Sequence, residues 1–220
     1  MKNIILIPAL LLAFASSFTT TLTAQDSDHP SFTEFVAQFP KASLPYAITT
    51  EDLKSQLESK TTAKAKRLDW QYYEYLPELE RSAQFSNMPV YPEPVASFET
   101  QEYVAVLYNI ARGTGKGTKT YTISIFDCDG KHIATNFIAG ANNQSLTAAT
   151  ITANFQATVQ EYKVNWLNDI LENGREGNEV KNLDPKVQQI IDLILPGNPD
   201  QIDWSVKMTN TEEKHGVATK

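Results

Sequence analysis

Residues 102–139 read EYVAVLYNIARGTGKGTKTYTISIFDCDGKHIATNFIA, and this stretch decides the fold. It contains three largely apolar runs, 102–110, 119–127 and 131–139, which are separated by turn-forming residues and have no helical period. Runs of this kind are typical of antiparallel strands that follow one another along the chain. The sequence therefore predicts a β-meander in the middle of the chain.

The second run shows the faces of the predicted sheet. Its apolar residues alternate with Thr120, Thr122 and Ser124. Side chains of a strand point alternately to its two faces, so this pattern predicts one buried face and one face that is wet or covered by polar chain.

The turn DCDGK, residues 127–131, sets the register between the second and third strands. A type I turn with Gly130 in the left-handed conformation gives a three-residue loop. A two-residue loop would instead place Asp127 opposite His132, an acid beside a histidine, and Ile125 opposite Ala134, which matches apolar partners less well. We therefore expect the pairs Asp127–Lys131, Ile125–Ile133 and Tyr121–Phe137.

The loop RGTGKGTK, residues 112–119, resembles a phosphate-binding loop but lacks its pattern. The P-loop pattern needs Lys followed by Ser or Thr and then a helix, whereas Gly117 follows Lys116 and a strand comes next. The glycines predict a hairpin loop. Its cations could contact an acidic ligand, so Arg112 and Lys116 are candidate binding residues.

The segment LDWQYYEYL, residues 68–76, is dense in aromatic residues and predicts a strand. Alternation would put its first two aromatics on one face and its last two on the other, and the proline-rich residues 77–99 predict irregular chain that could cover one pair. Exposed aromatic rings stack on sugars or contact protein partners. The candidate binding residues here are Trp70, Tyr72, Tyr73 and Tyr75.

Three segments carry helix signals. SFTEFVAQFP has a capping box and predicts a helix over residues 32–39, and TTEDLKSQLESK predicts a second short helix with Thr50 as its N-cap. A third helix is predicted over residues 185–195, after a cap at Asp184, because apolar residues recur there at i, i+3, i+4 and i+7. Those residues are Val187, Ile190, Ile191 and Ile194.

Strand signals also follow the meander. The apolar phase switches near Gln160 and Glu161, which predicts a bulge or a turn between two strands. Asn173-Gly174 predicts the tip of a hairpin, and residues 201–208, QIDWSVKM, predict a final strand.

The N-terminal residues indicate the cellular location of the protein. Lys2 precedes an apolar run that is too short to span a bilayer, and small and polar residues end it near Ala24, as in a cleaved secretory signal peptide. We expect a secreted or periplasmic protein. The predicted organisation is a signal peptide at 1–24, a linker at 25–30, one domain at 31–208 and a flexible tail at 209–220.

Composition excludes several classes of function. The formal net charge is −7, which argues against nucleic acid and anionic lipid as partners. Cys128 is the single cysteine, so no internal disulfide forms. The three histidines are isolated, and DCDG lacks the further oxygen ligands of a calcium loop, so we predict no metal site and no cofactor. No membrane span is predicted, and no pattern indicates an oligomeric state.

The layout of residues 1–138 resembles that of uncharacterised secreted proteins of Bacteroidetes-type bacteria. The features that carry this resemblance are the cut at LTAQ, the early FTEFVAQFP…LPY and the meander YTISIFDCDGKHIA. The resemblance implies export from a Gram-negative cell and brings no catalytic residues.

Together these patterns predict an α+β domain in which an antiparallel meander carries short N-terminal helices and one C-terminal helix. The first functional hypothesis is a non-catalytic module that binds a protein, peptide or glycan through an exposed aromatic patch. The alternatives are a hydrolase and a structural envelope component with an uncovered edge strand. The hydrolase would need two converging acids from the set Glu74, Glu78, Glu80, Glu93, Glu99 and Glu102.

Overall fold

The structure, a computed structural model, describes residues 29–58, 66–79, 90–112 and 119–195. Several predictions from the sequence lie outside these ranges: the signal peptide at 1–24, nearly all of the linker at 25–30, the final strand at 201–208 and the tail at 209–220.

Eight antiparallel strands form one sheet, so the described fold is mostly β. In chain order the strands are β1 Tyr46–Ile48, β2 Val90–Glu99, β3 Tyr103–Arg112, β4 Lys119–Asp127, β5 His132–Ala141, β6 Ser145–Ile151, β7 Gln156–Trp166 and β8 Val180–Asp192. Strands β2 to β8 lie side by side in this same order, and β1 pairs with β6. The predicted meander is confirmed as β3, β4 and β5.

The hairpin loop between β4 and β5 has the predicted form. Gly130 has a φ of +84° and donates its N–H to the carbonyl of Asp127 at 3.1 Å. The N–H of Asp127 donates to the carbonyl of Lys131 at 3.0 Å. The loop therefore closes on the predicted Asp127–Lys131 pair.

Beyond the loop the predicted register is wrong. Bulges in β5 leave Ile133 and Ile138 without a partner, so that Ile125 lies opposite Ala134 and Tyr121 opposite Ala139. A bulge adds a residue to one strand and increases the local twist. The pattern of apolar residues did not indicate these insertions, because Ala134 and Ala139 are also apolar.

The main core joins the two halves of the sheet, β2–β5 and β6–β8. Strands β5 and β6 pair at only two positions, Gly140–Thr147 and Ala141–Leu146. Buried side chains from both halves meet in one cluster with the helix at residues 50–57. This main core includes Phe98, Leu107, Ile123, Ile125, Ile138, Leu146, Ile151, Ala157, Val164, Leu53 and Leu57.

The opposite face of β3 and β4 is buried under a second core. The expectation of a wet or polar-covered face is wrong, since Thr122 and Ser124 are 1% and 0% exposed. Aromatic side chains from the N-terminal part of the chain cover this face. The second core includes Phe35, Phe39, Leu68, Tyr72, Leu76, Val106, Tyr108, Ile110 and Phe126.

Two short helices precede the long strands. Helix α1 spans Phe32–Val36, which is shorter than the predicted 32–39, and the chain continues as turns up to Phe39. Helix α2 spans Thr50–Leu57 and is capped by Thr49 rather than Thr50. Each begins with a capping box in which the N-cap side chain and the third helical residue exchange hydrogen bonds.

The predicted C-terminal helix at 185–195 is wrong, because residues 180–192 form β8. The helical spacing of Val187, Ile190 and Ile191 does not correspond to a buried stripe, since Ile190 is 69% exposed. These β-branched residues also favour strands, and pairing with β7 decides between the two structures. Pro185 is tolerated because β8 lies at the edge of the sheet.

The predicted strand at 68–76 is also wrong. Residues Trp70–Tyr75 form a 3₁₀-helix, in which the N–H of Tyr72 donates to the carbonyl of Asp69 at 3.1 Å. Within the region predicted as irregular, 77–99, residues 90–99 form the edge strand β2. An edge position accommodates Pro92 and Pro94, since proline has no N–H to donate.

The predictions made for the region around β7 are correct in part. Its pairing with β8 shifts between Gln160 and Tyr162, which confirms the predicted bulge. The chain reverses between β7 and β8 as expected, but the connection contains a short helix, α3, at Ile170–Asn173.

None of the helices in the described residues is long and apolar enough to cross a membrane.

Candidate functional site

A surface groove lies where the segment before the 3₁₀-helix meets the edge strand β2. Its volume is about 540 Å³. Trp70 stands at this groove with 79% of its surface exposed, which is unusual for the largest apolar side chain. We call it the aromatic groove, and its lining residues are Gln38, Lys66, Arg67, Leu68, Asp69, Trp70, Gln71, Tyr72, Tyr73 and Tyr91.

The 3₁₀-helix explains why neighbouring aromatics have different environments. With three residues per turn, side chains at i and i+3 share a side. Tyr72 and Tyr75 therefore both point into the second core, where the ring of Tyr75 stacks on Phe35 at 4.8 Å between centroids. Trp70 and Tyr73 share the other side and line the groove; Tyr73 also packs against the second core, and Tyr72 also contributes to the lining of the groove.

Hydrogen bonds fix the segment beside β2. The N–H of Leu68 donates to the carbonyl of Pro92 at 2.8 Å, which attaches the segment to the strand edge. Gln38 donates to the hydroxyl of Tyr72 at 3.2 Å and accepts from the ammonium of Lys66 at 3.3 Å. The rim of the groove is thereby held by both backbone and side chains.

Two cations and one acid give the groove its electrostatic character. The guanidinium carbon of Arg67 lies 4.0 Å from the ring centroid of Tyr91, a cation–π contact that leaves guanidinium N–H groups available as donors. Burial raises the pKa of Tyr73, and the charge of Arg67 acts in the opposite direction. Lys66, Arg67 and Asp69 are all exposed, so the groove has a net positive charge in an acidic chain.

The structure separates the six residues singled out from the sequence. Trp70 and Tyr73 line the groove, and Tyr72 lies at its base with 7% exposure. Tyr75 does not line it; its hydroxyl donates to the carbonyl of Pro30 at 2.6 Å. The backbone of Arg112 pairs with Val90 in β2, whereas its side chain, like the whole of Lys116, lies outside what the structure describes.

Sequence reasoning missed the polar residues of the groove. Lys66 and Arg67 end a basic run, KTTAKAKR at residues 60–67, that stands directly before the aromatic segment. This basic run stands next to an aromatic cluster in a chain whose net charge is −7, and that contrast could have indicated Lys66 and Arg67 as site residues. Gln38 and Tyr91 come from distant parts of the chain, so no local pattern could have placed them there.

A second polar feature, the hydroxyl network, crosses the second core. The hydroxyl of Tyr108 lies 3.0 Å from Ser124 Oγ, which lies 2.8 Å from Thr135 Oγ1. Thr135 Oγ1 lies 2.8 Å from Nε2 of His132, and Tyr108 donates to the carboxylate of Glu78.

A fifth contact joins Thr135 Oγ1 to the carboxylate of Glu78 at 3.3 Å, so Thr135 can donate its one hydrogen either to Glu78 or to Ser124. When Thr135 donates to Ser124, His132 donates to Thr135, Ser124 to Tyr108 and Tyr108 to Glu78, so each hydroxyl donates once and accepts once. Burial lowers the pKa of His132 from 6.5, which favours the neutral ring, and in this order of donors the ring carries its hydrogen on Nε2. A nitrogen that donates cannot accept the proton of Thr135. The network therefore has the features of a structural connection rather than of an activated nucleophile.

The acids proposed for hydrolysis have separate partners. Glu74 lies 3.7 Å from His29, Glu93 forms a 2.6 Å ion pair with Lys119, and Glu99 lies 3.0 Å from Lys41. Glu78 belongs to the hydroxyl network and Glu80 lies outside the described ranges. These contacts do not join any two members of the set, so the described residues give no support to paired carboxylate chemistry.

A smaller depression lies between α2 and the inner face of the sheet. Its volume is about 460 Å³, and Tyr46, Asp52, Gln56 and Tyr121 contribute its polar lining. Gln56 donates to the hydroxyl of Tyr121 at 2.7 Å. Burial raises the pKa of Tyr121 despite this bond, so its hydroxyl remains protonated and neutral at pH 7.

The described residues contain no group of three or more His, Cys, Asp or Glu side chains placed to hold a metal ion. Cys128 is exposed in the loop between β4 and β5, where its Sγ lies 3.4 Å from the carbonyl of Gln101.

Comparison with known proteins gives no family assignment: no family model, no curated protein and no solved structure matches the chain.

Proposed function

We propose that this protein is an exported, non-catalytic binding module that holds a glycan bearing acidic groups in the aromatic groove. The observation that supports this most strongly is Trp70, which is 79% exposed beside Tyr73 and a groove of about 540 Å³. An indole ring in this position offers a flat apolar face on which a sugar ring can stack.

The polar rim supports a sugar ligand. Gln38 and Gln71 offer amide donors and acceptors next to the aromatic rings, and hydroxyl groups of a sugar can bond to both. The groove is an open surface depression, which suits an extended chain of rings more than a single buried side chain.

The edge of β2 disfavours a peptide at the same place. Peptides commonly bind by adding a strand to a free sheet edge. Here the carbonyl of Pro92 already accepts from Leu68, and Pro92 and Pro94 have no N–H to offer. A peptide ligand would therefore find few backbone partners beside the groove.

The charge of the groove supports an acidic ligand. Lys66 and Arg67 are exposed, and a guanidinium forms paired hydrogen bonds with a carboxylate or sulfate. Asp69 offsets one of these charges, so a ligand with spaced acidic groups suits the site better than a dense polyanion. Export follows from the predicted signal peptide at 1–24 and belongs to this proposal.

The test is direct binding measured on an array of acidic and neutral oligosaccharides, followed by calorimetry on the best ligand. Trp70→Ala should weaken binding by at least about tenfold, equivalent to about 1.4 kcal/mol. Leu171→Ala is the matched control, because Leu171 is an apolar residue that is 91% exposed and does not line the groove.

Charge is tested separately. Lys66→Gln with Arg67→Gln should weaken binding of an acidic oligosaccharide and leave a neutral one of equal length unchanged. The proposal fails if the Trp70→Ala chain binds as the parent does. It also fails if no oligosaccharide on the array binds the protein while a peptide library yields ligands whose binding depends on Trp70.

A further inference from the structure

Among the described residues, no strand pairs with the outer edge of β8. Strand β8 is the longest strand and the last of the sheet, and it pairs with β7 on one side only. Within the part of the chain that the structure describes, no backbone-to-backbone hydrogen bond reaches the other side of β8 between Lys181 and Ile191. A long uncovered edge invites pairing with another strand.

The opposite edge of the sheet, formed by β2, is covered by other parts of the chain. The N–H of Ser97 in β2 donates to Pro40 at 2.8 Å, and its carbonyl accepts from Ala42 at 2.9 Å. Leu68 covers the same edge further along, through Pro92. The protein thus covers one edge with its own chain and two prolines, whereas β8 contains a single proline, Pro185.

Apolar side chains near β8 are incompletely covered. On β8 itself, Val187 is 48% and Ile190 is 69% exposed. On the core side of β7 and β8, Val159, Leu183 and Ile191 contact the main core but are only partly buried. An additional strand beside β8 would remove more of the core-side apolar surface of Leu183 and Ile191 from water.

The chain itself supplies a segment with the required pattern. Residues 201–208, QIDWSVKM, alternate strictly between polar and apolar side chains. The alternation predicts a strand with one apolar face, formed by Ile202, Trp204, Val206 and Met208.

The segment is within reach of the edge. The last described residue is Leu195, and five residues that include two prolines and a glycine separate it from Gln201. Each residue can span about 3.4 Å, whereas neighbouring strands lie about 4.8 Å apart. The connection is therefore long enough to reverse the chain and return along β8.

We propose that residues 201–208 add to the outer edge of β8 as a ninth, antiparallel strand. Its apolar face extends the core-facing side that includes Leu183 and Ile191, and its backbone satisfies the open N–H and carbonyl groups of β8. This inference is independent of the aromatic groove.

Hydrogen exchange measured by mass spectrometry on peptides from β8 tests the proposal. Three chains are compared: the intact chain, a chain that ends at Met208, and a chain that ends at Asp200. The first two should exchange alike, and the third should exchange at least about tenfold faster in β8, because its outward amides lose their partners. Peptides from β4 serve as the internal reference and should stay unchanged.

A point variant provides a second test if the chain that ends at Asp200 does not fold. Trp204→Ser in the intact chain should also speed exchange in β8. Equal exchange in all three chains would overturn the proposal. Protection that survives removal of 201–220 and rises with protein concentration would also overturn it, since a second copy would then occupy the edge, as a structural envelope component requires.

Discussion

Trp70 and Tyr72 show how much a single residue's environment depends on the local period. A strand would have placed them on the same face, and the 3₁₀-helix places them on different sides. Trp70 remains in water, whereas Tyr72 is 7% exposed and closes the second core. The aromatic composition was enough to select the segment, but the choice of exposed residue depends on the three-residue period.

His132 provides a prediction at the residue scale. Because burial lowers its pKa from 6.5 in the folded protein, the unfolded chain binds a proton in a pH range where the folded chain does not. The free energy of unfolding should therefore be highest above pH 6.5 and fall as the pH drops below it. His132→Gln should reduce this fall, since glutamine can still donate to Thr135 but does not titrate.

Urea unfolding at pH 7.5 and at pH 5.5 measures the effect. The stability of the parent relative to His132→Gln should be lower at pH 5.5 than at pH 7.5. A relative stability that increases on acidification would show that the folded protein favours the charged ring, and it would contradict the expected lowering of the pKa of His132.

Gly130 links two elements, the β4–β5 hairpin and α1. Its φ of +84° suits glycine, and an added Cβ would lie 2.6 Å from Cγ of Phe32. Gly130→Ala should therefore lower the free energy of unfolding by more than the roughly 1–2 kcal/mol that the left-handed conformation alone costs.

Gly177→Ala is the matched control, because Gly177 has a φ of +75° and no atom within 4 Å of an added Cβ. Chemical unfolding of both variants separates the steric contribution from the conformational one. Equal losses in the two variants would mean that the hairpin loop does not pack on Phe32.

The assignment of residues 180–192 to β8 gives a second prediction at the element scale. If the segment were the helix expected from its spacing, Ile190 would belong to the buried stripe. In β8 it is 69% exposed, so Ile190→Lys should change the free energy of unfolding by less than about 0.5 kcal/mol.

Leu193→Ala is the contrasting variant, because Leu193 is fully buried where β8 ends. Leu193→Ala should lower the free energy of unfolding by about 2–5 kcal/mol. A large loss for Ile190→Lys, measured by the same chemical unfolding, would indicate that β8 is not the structure of this segment.

Much of the sheet could be predicted from local patterns, because strands β3 to β5 carry alternating or apolar runs and the DCDGK turn fixes their loop. The register beyond Phe126 could not, since the bulges in β5 depend on pairing across strands. Edge strand β2 and strand β8 were missed for a related reason. Prolines and helical spacing are local signals, whereas the strand pairing that overrides them depends on residues far apart in the sequence.

The candidate site could be predicted only in part for the same reason. Trp70 and Tyr73 stand together in the sequence, so their cluster was visible. The groove also needs Gln38, from the turn after α1, and Tyr91, from β2, and only the fold brings these two residues next to the aromatic segment.

At the scale of the whole molecule, two cores on opposite faces of one sheet account for a stable arrangement without disulfides. The main core contains residues of α2 and of strands from both halves of the sheet, and the second core is closed by α1 and the 3₁₀-helix. The segment that closes the second core also presents the aromatic groove. The same short helix therefore contributes both to the second core and to the proposed binding surface.

The most direct test of the central claim is the response of individual indole groups to an acidic oligosaccharide. In a protein labelled with ¹⁵N-tryptophan, addition of an oligogalacturonate should shift the indole signal of Trp70, assigned with Trp70→Phe. The signal of Trp166, whose indole donates to the carbonyl of Asn143 at 2.7 Å, should stay in place. An unchanged Trp70 signal with every acidic oligosaccharide that binds the protein, or a shift confined to Trp166, would contradict the account.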